Sequence, residues 1–353
     1  MDLKKIVREN IYNLTPYSCA RTEFSGKASV WIDANESPYN NPYNRYPDPL
    51  QMELKRRIGQ MRGVVADQIF LGVGSDECID MVYRVFCRPG IDNVVAIEPT
   101  YGMYEVCAEV NDVEYRRAPL ADDFSIDIQK IFEQIDDMTK VIWICSPNNP
   151  TGNAFPRDAI EAVCAGFNGI VVVDEAYVDF STKGSMATQL YRYPNLIVMQ
   201  TLSKAWASAA VRLGAAFASQ EIIGIFNKVK YPYNINLLTQ QYAMRMLDRR
   251  EEVHGWVTTI VAERKRLATE LAVLPVVEKV FDSDANFLLV RVTDADAVYA
   301  YLRDNGIVAR NRNRVALCSQ CLRFSVGTED ENNRLISTPV SYTHLTLPTT
   351  PYV

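Results

Sequence analysis

Short, continuous runs of apolar residues alternate with stretches of helical periodicity from about residue 66 onward. The runs carry Val, Ile and Leu at consecutive positions, which is typical of strands buried on both faces of a parallel sheet. The pattern therefore predicts an α/β fold with a mainly parallel central sheet and helices on both of its faces. We predict the strands at residues 68–72, 93–98, 140–145, 169–175, 195–200 and 212–218.

The pattern changes after Ile235, where two long helical stretches are followed by a strand, a helix and two short strands. This order is typical of a smaller α+β unit. We therefore predict a large domain at 31–250 and a small C-terminal domain at 251–338. The elements predicted after Ile235 are helices at 236–250, 252–271 and 294–305 and strands at 285–292, 306–310 and 322–326.

Three segments lie outside this pattern. Residues 1–30 are predicted to form an N-terminal arm that joins the small domain. Residues 37–49 are so rich in Pro, Asn and Tyr that neither a helix nor a central strand is expected there, and a long irregular segment of this kind is often functional. The Thr- and Pro-rich residues 339–353 are interpreted as a non-native tail, with the terminal helix ending near residues 337–339.

Charge, apolar content and cysteine usage narrow the class of protein. The chain has 353 residues, 48% of them hydrophobic, and a formal net charge of -6. This acidic balance argues against binding to nucleic acid or to an anionic membrane. No uncharged apolar stretch reaches about 18 residues, and the start lacks the apolar centre of a signal peptide. Because the eight cysteines are scattered and are interpreted as reduced thiols, we expect a cytoplasmic protein.

Histidine and cysteine are too sparse for two common kinds of site. Of the two histidines, His344 lies in the tail, so a hydrolase with a histidine base would depend on His254 alone. Cys318 and Cys321 form one CxxC pair, but a structural zinc site needs four ligands, and we expect no metal. An enzyme of this composition would move protons with Lys, Tyr, Asp or Glu.

Two turns that follow predicted strands carry groups suited to a phosphate and to a ligand oxygen. The Gly-rich segment 72–77 places Gly74, Ser75 and Asp76 at a predicted helix start, where backbone N–H groups bind phosphate. Asn149 lies beyond the carboxyl end of a strand, where open α/β sheets bind ligands. Each motif taken alone is also compatible with a plain turn, and the Gly-rich segment by itself is a weak signal for phosphate.

Asp174 and Lys204 are the two residues whose surroundings in the sequence indicate a catalytic role most directly. Asp174 ends an apolar strand, and a buried carboxylate needs a cationic partner, which is either an Arg or Lys side chain or a protonated pyridine nitrogen. Lys204 lies among small residues, where a partly desolvated amine becomes a nucleophile and a base. The alternative for Lys204 is a surface lysine.

Further polar side chains lie close to these two in the sequence. Tyr177 can reach the same ligand as Asp174, and Thr201, Ser203 and Arg212 offer hydroxyl and guanidinium groups to a phosphate. Together the motifs supply a phosphate cradle, a partner for a ring nitrogen, donors for a ring hydroxyl and an amine. These are the parts that pyridoxal phosphate needs.

The same motifs carry a resemblance to a known family. The SPNNPTG and DEAY segments, with an SK pair and Arg212 eight positions beyond Lys204, resemble the fold-type-I aminotransferases, which depend on pyridoxal phosphate. A closer resemblance is to the histidinol-phosphate aminotransferase family, and it covers about residues 10–337 with a departure at Ala210, where the family often has Gly. The segments that carry it are 14–17, 31–40, 44–49, 74–77, 99–104 and 322–328.

The resemblance implies a role for each matching residue around the cofactor ring. Lys204 would carry pyridoxal phosphate as a Schiff base and shuttle a proton between the substrate Cα and the cofactor C4′. Asp174 would keep the pyridine nitrogen protonated. Asn149 and Tyr177 would bind the ring hydroxyl oxygen, and Tyr101 would stack on the ring.

The resemblance also implies how the phosphate and the substrates are bound. The partner subunit would contribute Tyr46 to the cofactor phosphate, so the family implies a homodimer. Arg323 would bind the α-carboxylate of glutamate or 2-oxoglutarate, and Tyr17, Asn35 and Arg310 are further candidates for the substrate pocket. The remaining phosphate contacts would come from Gly74, Ser75, the backbone of Asp76, Thr201, Ser203 and Arg212.

The implied reaction is transamination between L-histidinol phosphate and 2-oxoglutarate in histidine biosynthesis. Two rivals in the same fold, an aromatic-amino-acid aminotransferase and a phosphothreonine-type decarboxylase, would share Lys204 and Asp174. A non-catalytic regulatory domain that binds pyridoxal phosphate is a third alternative, but such proteins usually carry a DNA-binding segment, for which this acidic chain gives no sign.

Overall fold

The computed structural model describes residues 2–24 and 28–345, with Thr22 and residues 339–345 described by their backbone alone. Its strands in chain order are β1 Ile69–Val73, β2 Asn93–Glu98, β3 Glu114–Pro119, β4 Thr139–Cys145, β5 Ile170–Asp174, β6 Leu196–Thr201, β7 Leu213–Phe217, β8 Val277–Val280, β9 Phe287–Val292, β10 Arg310–Asn311 and β11 Cys321–Ser325. Its α-helices are α1 Leu3–Ile6, α2 Glu9–Tyr12, α3 Ala20–Glu23, α4 Met52–Arg62, α5 Gly74–Phe86, α6 Met103–Val110, α7 Ile128–Phe132, α8 Arg157–Gly166, α9 Gln220–Val229, α10 Leu237–Asp248, α11 Arg250–Ala272, α12 Ala295–Asp304 and α13 Glu329–Leu345.

The larger sheet has seven strands in the order β1-β7-β6-β5-β4-β2-β3. The neighbours from β6 to β3 run parallel, whereas β7 is antiparallel to both β1 and β6. This arrangement confirms the predicted α/β fold. Because β7 is reversed, its first residue lies at the same edge of the sheet as the carboxyl ends of the other strands.

Apolar side chains cover both faces of this sheet. In β2, Val95 and Ile97 belong to the hydrophobic cluster on one face, and Val94 and Ala96 to the cluster on the other. All four are at most 1% exposed. Successive strand residues point to opposite faces, so a run of consecutive apolar residues is what a sheet covered on both sides requires.

A second, antiparallel sheet has the order β10-β11-β9-β8. Its apolar face packs against helices, with Leu288 and Val290 of β9 in one buried cluster with Leu267 of α11 and Leu302 of α12. The strand β11 lies between β10 and β9, so residues near position 323 are held by two neighbours. The exact domain boundaries stay a prediction.

Several predictions are corrected at the ends and edges. The start of the arm packs against the larger unit, since Val7 is buried with residues of α5 and α9 and Arg8 N–H donates to Val85 O at 3.0 Å. The terminal helix continues to Leu345 and does not end near residues 337–339. Strand β3 was not predicted because its sequence, EYRRAP, belongs to a half-exposed edge strand and lacks an apolar run.

Two further predictions concern irregular and membrane-spanning segments. Residues 37–49 contain turns and bends, as their Pro, Asn and Tyr content predicts. Among the helices of the described residues, none is both long and apolar enough to cross a bilayer.

Candidate active site

A cavity of about 520 Å³ lies at the edge of the larger sheet where the strands β4, β5 and β6 end. It is bounded on its other side by residues of the smaller sheet. The predicted site residues that line it from the first part of the chain are Ser75, Asp76, Tyr101, Asn149, Asp174 and Tyr177. Those from later in the chain are Thr201, Ser203, Lys204, Arg212, Arg310 and Arg323.

Asp174 is the last residue of β5 and is 2% exposed. Its Oδ2 accepts a hydrogen bond from the Tyr104 hydroxyl at 2.7 Å, and its Oδ1 accepts one from Ala176 N–H at 3.0 Å. Burial raises the pKa of Asp174, and these two hydrogen bonds oppose that rise. Within the described part of the chain Asp174 forms no ion pair, so its carboxylate remains available to a cationic ligand.

Lys204 follows β6 by three residues, in a turn that faces the cavity. Burial lowers the pKa of the Lys204 amine, and the nearby Arg323 guanidinium lowers it further. Its Nζ lies 5.6 Å from the centroid of the Tyr177 ring. A lowered pKa increases the fraction of neutral amine, which is the form that acts as a nucleophile or a base.

The junction between β1 and α5 forms a tight cradle around Gly74. Gly74 has a φ of +71°, and its N–H donates to Arg212 O at 3.0 Å. A Cβ at this position would lie 2.3 Å from Arg212 Nη2. The Arg212 Nη2 also pairs with Asp76 Oδ2 at 2.9 Å. A guanidinium and the first N–H groups of a long helix therefore meet at one point, which is a suitable geometry for a phosphate.

Hydroxyl groups at the end of β6 and in the turn that follows it continue this cradle. Ser203 N–H donates to Thr201 Oγ1 at 3.1 Å, and Thr201 and Ser203 hydroxyls lie 3.0 Å apart. The Tyr101 hydroxyl in turn donates to Asp76 Oδ1 at 3.4 Å. Because the side chains hold one another, the donors are arranged before any ligand binds.

Asn149 and Arg323 connect the two sheets. Arg323 lies in β11, and its Nη1 donates to Asn149 Oδ1 from the turn after β4. The Arg323 guanidinium also lies 5.0 Å from the Phe287 ring, whose edge contacts Tyr177 at a centroid distance of 5.1 Å. The Arg323 guanidinium is thus positioned by two side chains, Asn149 and Phe287.

Gly74 does not itself line this cavity, although Ser75 and Asp76 beside it do, and three further predicted residues do not line it within their own chain. Asn35 and Tyr46 line a second cavity beside Tyr233, and the Tyr46 ring stacks on Tyr233 at 4.4 Å. Tyr17 is 74% exposed. All three lie in the segments that precede α4, which cover a different part of the surface, and their predicted roles stay predictions.

Comparison with known proteins identifies the family. A sequence model of the family aminotransferase class I and II matches residues 20–338. A histidinol-phosphate aminotransferase of Bacteroides fragilis is 54% identical over 341 residues, which cover 96% of this chain and 99% of the relative. This chain belongs to the histidinol-phosphate aminotransferase family.

Solved structures agree with this assignment at the level of the fold. A histidinol-phosphate aminotransferase from Clostridium acetobutylicum superposes with a TM-score of 0.79 at 24% identity, covering 86% of this chain and 92% of that one. A second, from Sinorhizobium meliloti in complex with pyridoxal-5'-phosphate, gives a TM-score of 0.78 at 20% identity, covering 86% and 84% of the two chains. The predicted fold-type-I architecture is therefore confirmed.

The cofactor of this aminotransferase is pyridoxal phosphate, and the cavity has the donor set to hold it. The absence of a Cβ at Gly74 lets the Arg212 guanidinium approach the start of α5, and the carboxylate of Asp174 is buried without an ion-pair partner in the described residues. An amine with a lowered pKa, that of Lys204, lines the same cavity. These three features match the phosphate, the ring nitrogen and the aldehyde of the cofactor.

Sequence reasoning missed two residues of the aminotransferase site. Tyr104 lies in the first turn of α6 and donates to Asp174, whereas Tyr101 precedes this helix by two residues. Arg312 also lines the cavity. It lies two residues after Arg310, so strand alternation was the signal that could have found it.

Proposed function

We propose that this aminotransferase transfers the amino group of L-histidinol phosphate to 2-oxoglutarate, giving imidazole-acetol phosphate and L-glutamate in histidine biosynthesis. The observation that carries the proposal is that Lys204 and the buried Asp174 line one cavity of about 520 Å³, which four arginine side chains also line. Both substrates are anionic, and the cationic lining suits them.

Lys204 would act as the base of the reaction. When bound, pyridoxal phosphate supplies a conjugated ring that takes up the electron pair left by a broken Cα–H bond. The Lys204 Nζ removes that proton from the substrate Cα and later returns one. Its lowered pKa favours this role, since a base must be neutral before it accepts a proton.

Asp174 would hold a proton on the pyridine nitrogen. Its carboxylate is orientated by the Tyr104 hydroxyl and by Ala176 N–H, which occupy one oxygen each. A cation opposite a buried carboxylate stabilises the ionised form of both groups. Asn149 and Tyr177 would bind the ring hydroxyl, and the Tyr101 ring would cover one face of the cofactor.

The remaining cavity residues would bind anions. The cofactor phosphate is assigned to the Gly74 cradle, with donors from Ser75, Asp76 N–H, Thr201, Ser203 and Arg212. The α-carboxylate of glutamate or 2-oxoglutarate is assigned to Arg323, because a guanidinium binds a carboxylate with two parallel hydrogen bonds. Arg310 lies beside Arg323 in the strand register and joins the substrate pocket.

A cytoplasmic homodimer completes the proposal. Tyr46 lies away from the cavity of its own chain, so a contact between its hydroxyl and the cofactor phosphate would have to come from the partner subunit. Tyr17 and Asn35 would border the substrate pocket in the same assembly.

The first experiment tests the role of Lys204. The purified protein with added pyridoxal phosphate should show a near-visible absorbance band that shifts when glutamate is added, and Lys204→Ala should lose both the band and the shift. The exposed Lys279→Ala serves as the matched control, since it lies in β8 away from the cavity. A wild-type protein that stays colourless with added cofactor would refute the proposal.

The second experiment tests the substrate. The value of kcat/KM for histidinol phosphate should exceed that for phenylalanine by at least about 100-fold. A preference for phenylalanine would favour the aromatic-amino-acid activity, and release of CO2 without consumption of 2-oxoglutarate would favour a decarboxylase.

A further inference from the structure

One hydrogen bond joins the segment that carries Lys204 to the segment that carries Tyr177. The Trp206 Nε1–H donates to Asp179 Oδ2 at 3.2 Å, between residues that are 27 positions apart in sequence. Trp206 lies two residues beyond Lys204. Asp179 lies two residues beyond Tyr177, and both Tyr177 and Lys204 line the cavity. The bond therefore acts over a short length of chain on two residues of the site.

The turn that carries Lys204 is closed by hydrogen bonds within itself. Ala207 N–H donates to Lys204 O at 3.1 Å, and Ser208 N–H donates to Leu202 O at 3.0 Å. These two bonds fix the shape of the turn. They do not fix its position relative to β5, because both ends of each bond belong to the same turn.

The Trp206 indole connects this turn to the neighbouring part of the molecule. The Trp206 side chain is 3% exposed and belongs to the same buried cluster as Phe180. Among the described residues, its bond to Asp179 is the one hydrogen bond that joins residues 203–208 to the chain outside 201–213. A buried indole N–H needs an acceptor, so this single contact sets where the indole, and with it the turn, can lie.

Arg62 fixes the direction of the acceptor. It is the last residue of α4, and its Nη1 and Nη2 donate to Asp179 Oδ1 and Oδ2 at 2.7 and 2.9 Å. Both side chains are largely covered, at 17% and 24% exposure. A guanidinium bound to a carboxylate through two parallel hydrogen bonds has a defined geometry. We call Arg62, Asp179 and Trp206 the indole clamp.

The indole clamp also acts on Tyr177, which immediately precedes the short 3-10 helix Val178–Phe180 that contains Asp179. The Lys204 Nζ lies 5.6 Å from the centroid of the Tyr177 ring. A shift of either segment would change this distance and the position of the amine in the cavity. A displacement of about 1 Å at a reacting group can lower a rate by about 100-fold.

We propose that Asp179 and Trp206 are positioning residues for Lys204, and that their hydrogen bond holds the amine in place for proton transfer at the substrate Cα. Neither side chain lines the cavity, so neither is expected to bind a substrate. This inference rests on the proposed role of Lys204 as the base and extends it to two residues outside the cavity. It follows that loss of the bond slows proton transfer and leaves substrate affinity nearly unchanged.

The first test compares Trp206→Phe with Trp256→Phe, since each removes one indole N–H and keeps an aromatic ring. Trp256 lies in α11, packs against the same buried cluster and does not line the cavity. Glutamate is mixed with the holoenzyme and the absorbance change is followed. We expect Trp206→Phe to lower the saturating rate constant at least about tenfold, and to change the half-saturating glutamate concentration by less than about threefold. Trp256→Phe should leave both values unchanged.

An isotope effect separates a displaced base from a general loss of structure. With glutamate deuterated at Cα, the isotope effect on this rate constant should be larger in Trp206→Phe than in the wild type, because proton transfer becomes the slower step. A weaker fold alone would lower the amount of active protein and would leave the isotope effect unchanged. An unchanged isotope effect in Trp206→Phe would therefore overturn the inference.

A double-mutant cycle tests whether the two residues act through their shared bond. Trp206→Phe combined with Asp179→Ala should be only slightly slower than the slower of the two single variants, since the bond can be lost only once. Asp179→Asn keeps an oxygen that accepts from the indole and should be faster than Asp179→Ala. If the two single losses multiply in the double variant, the residues act separately and the inference is wrong.

The reactivity of the Lys204 amine keeps the test independent of the proposed reaction. The full-length protein without cofactor is treated with trinitrobenzenesulfonate across a pH series, and modification of Lys204 is measured by mass spectrometry. Burial lowers the pKa of Lys204, so a turn that is free to move towards water should give a higher midpoint in Trp206→Phe than in Trp256→Phe. The charged and titratable groups that face the amine are Arg323, Arg212, Asp174, Asp76 and Tyr177.

The outcomes distinguish the two proposals. If the wild-type holoenzyme does not react with glutamate but the midpoint rises in Trp206→Phe, the proposed function fails and the indole clamp stands. If glutamate reacts at the same rate in Trp206→Phe and Trp256→Phe and the two midpoints are equal, the proposed function stands and the indole clamp is refuted.

Discussion

At the scale of single residues, Glu175 couples the stability of the fold to pH. It follows Asp174 and is 2% exposed. Its carboxylate accepts hydrogen bonds from Ser185 Oγ at 2.5 Å, Met186 N–H at 2.6 Å and Gln200 Nε2 at 2.9 Å. Burial outweighs these contacts and raises the pKa of Glu175 from 4.5 to about 7.

The raised pKa gives the sign of the pH dependence. Between pH 4.5 and about 7 the folded state binds a proton at Glu175 that the unfolded state has lost, so this contribution to stability is complete below 4.5 and disappears as the pH rises. The contribution is at most about 3 kcal/mol. The free energy of unfolding, measured with urea, should therefore decline less across this pH window in Glu175→Gln than in the wild type. Parallel curves for the two proteins would contradict the prediction.

Tyr104 supports the cofactor through Asp174. In Tyr104→Phe the ring stays stacked on Trp143 at 4.7 Å, but the 2.7 Å hydrogen bond to Asp174 is lost. The carboxylate then ionises less readily, so we expect the dissociation constant of pyridoxal phosphate to rise about tenfold. Tyr83→Phe is the control, since its hydroxyl donates to Tyr104 O at 2.6 Å and does not contact Asp174. A similar change in cofactor affinity in both variants would indicate a general packing defect.

At the scale of elements, the junction of β1 and α5 depends on a glycine. Gly74→Ala introduces a Cβ 2.3 Å from Arg212 Nη2 at a φ of +71°, so the Arg212 side chain or the helix start must move. We expect cofactor affinity to fall at least about tenfold, because the phosphate cradle is formed by these groups. Gly224→Ala in α9 is the matched control, since nothing lies within 4 Å of its added Cβ. Equilibrium dialysis with pyridoxal phosphate measures the cofactor affinity of both variants. Equal affinities in Gly74→Ala and Gly224→Ala would disprove the role of Gly74.

Elements and site residues differed in how far the sequence could predict them. The buried strands β2, β4, β5 and β6 were predicted because each is a run of apolar residues, whereas β3 escaped detection because an edge strand needs no such run. Asp174 and Lys204 were found from their local surroundings. The contacts that position site residues could not be predicted from the sequence. The partners of Asp174 and Asn149, for example, lie 70 and 174 residues away along the chain.

At the scale of the whole molecule, the reversed strand β7 explains why one edge of the sheet collects the site. Arg212 immediately precedes β7, and Lys204 follows the parallel strand β6. Because the two strands are antiparallel, a short connection of eleven residues, 202–212, returns the chain to the edge where it left the sheet. The second sheet then closes the cavity with Arg323. The site therefore depends on both units of the chain.

The proposed homodimer leads to a prediction that depends on two chains. Tyr46 does not line the cavity that contains Lys204 of the same chain. If the partner's Tyr46 completes each site, Lys204→Ala and Tyr46→Ala chains refolded together should complement each other. Half of the dimers would be mixed, each with one intact site, so activity should reach about a quarter of the wild type. Mixing Lys204→Ala with the double variant Lys204→Ala/Tyr46→Ala should restore nothing. Absence of rescue in the first mixture, with a dimer confirmed by sedimentation, would place Tyr46 outside the active site.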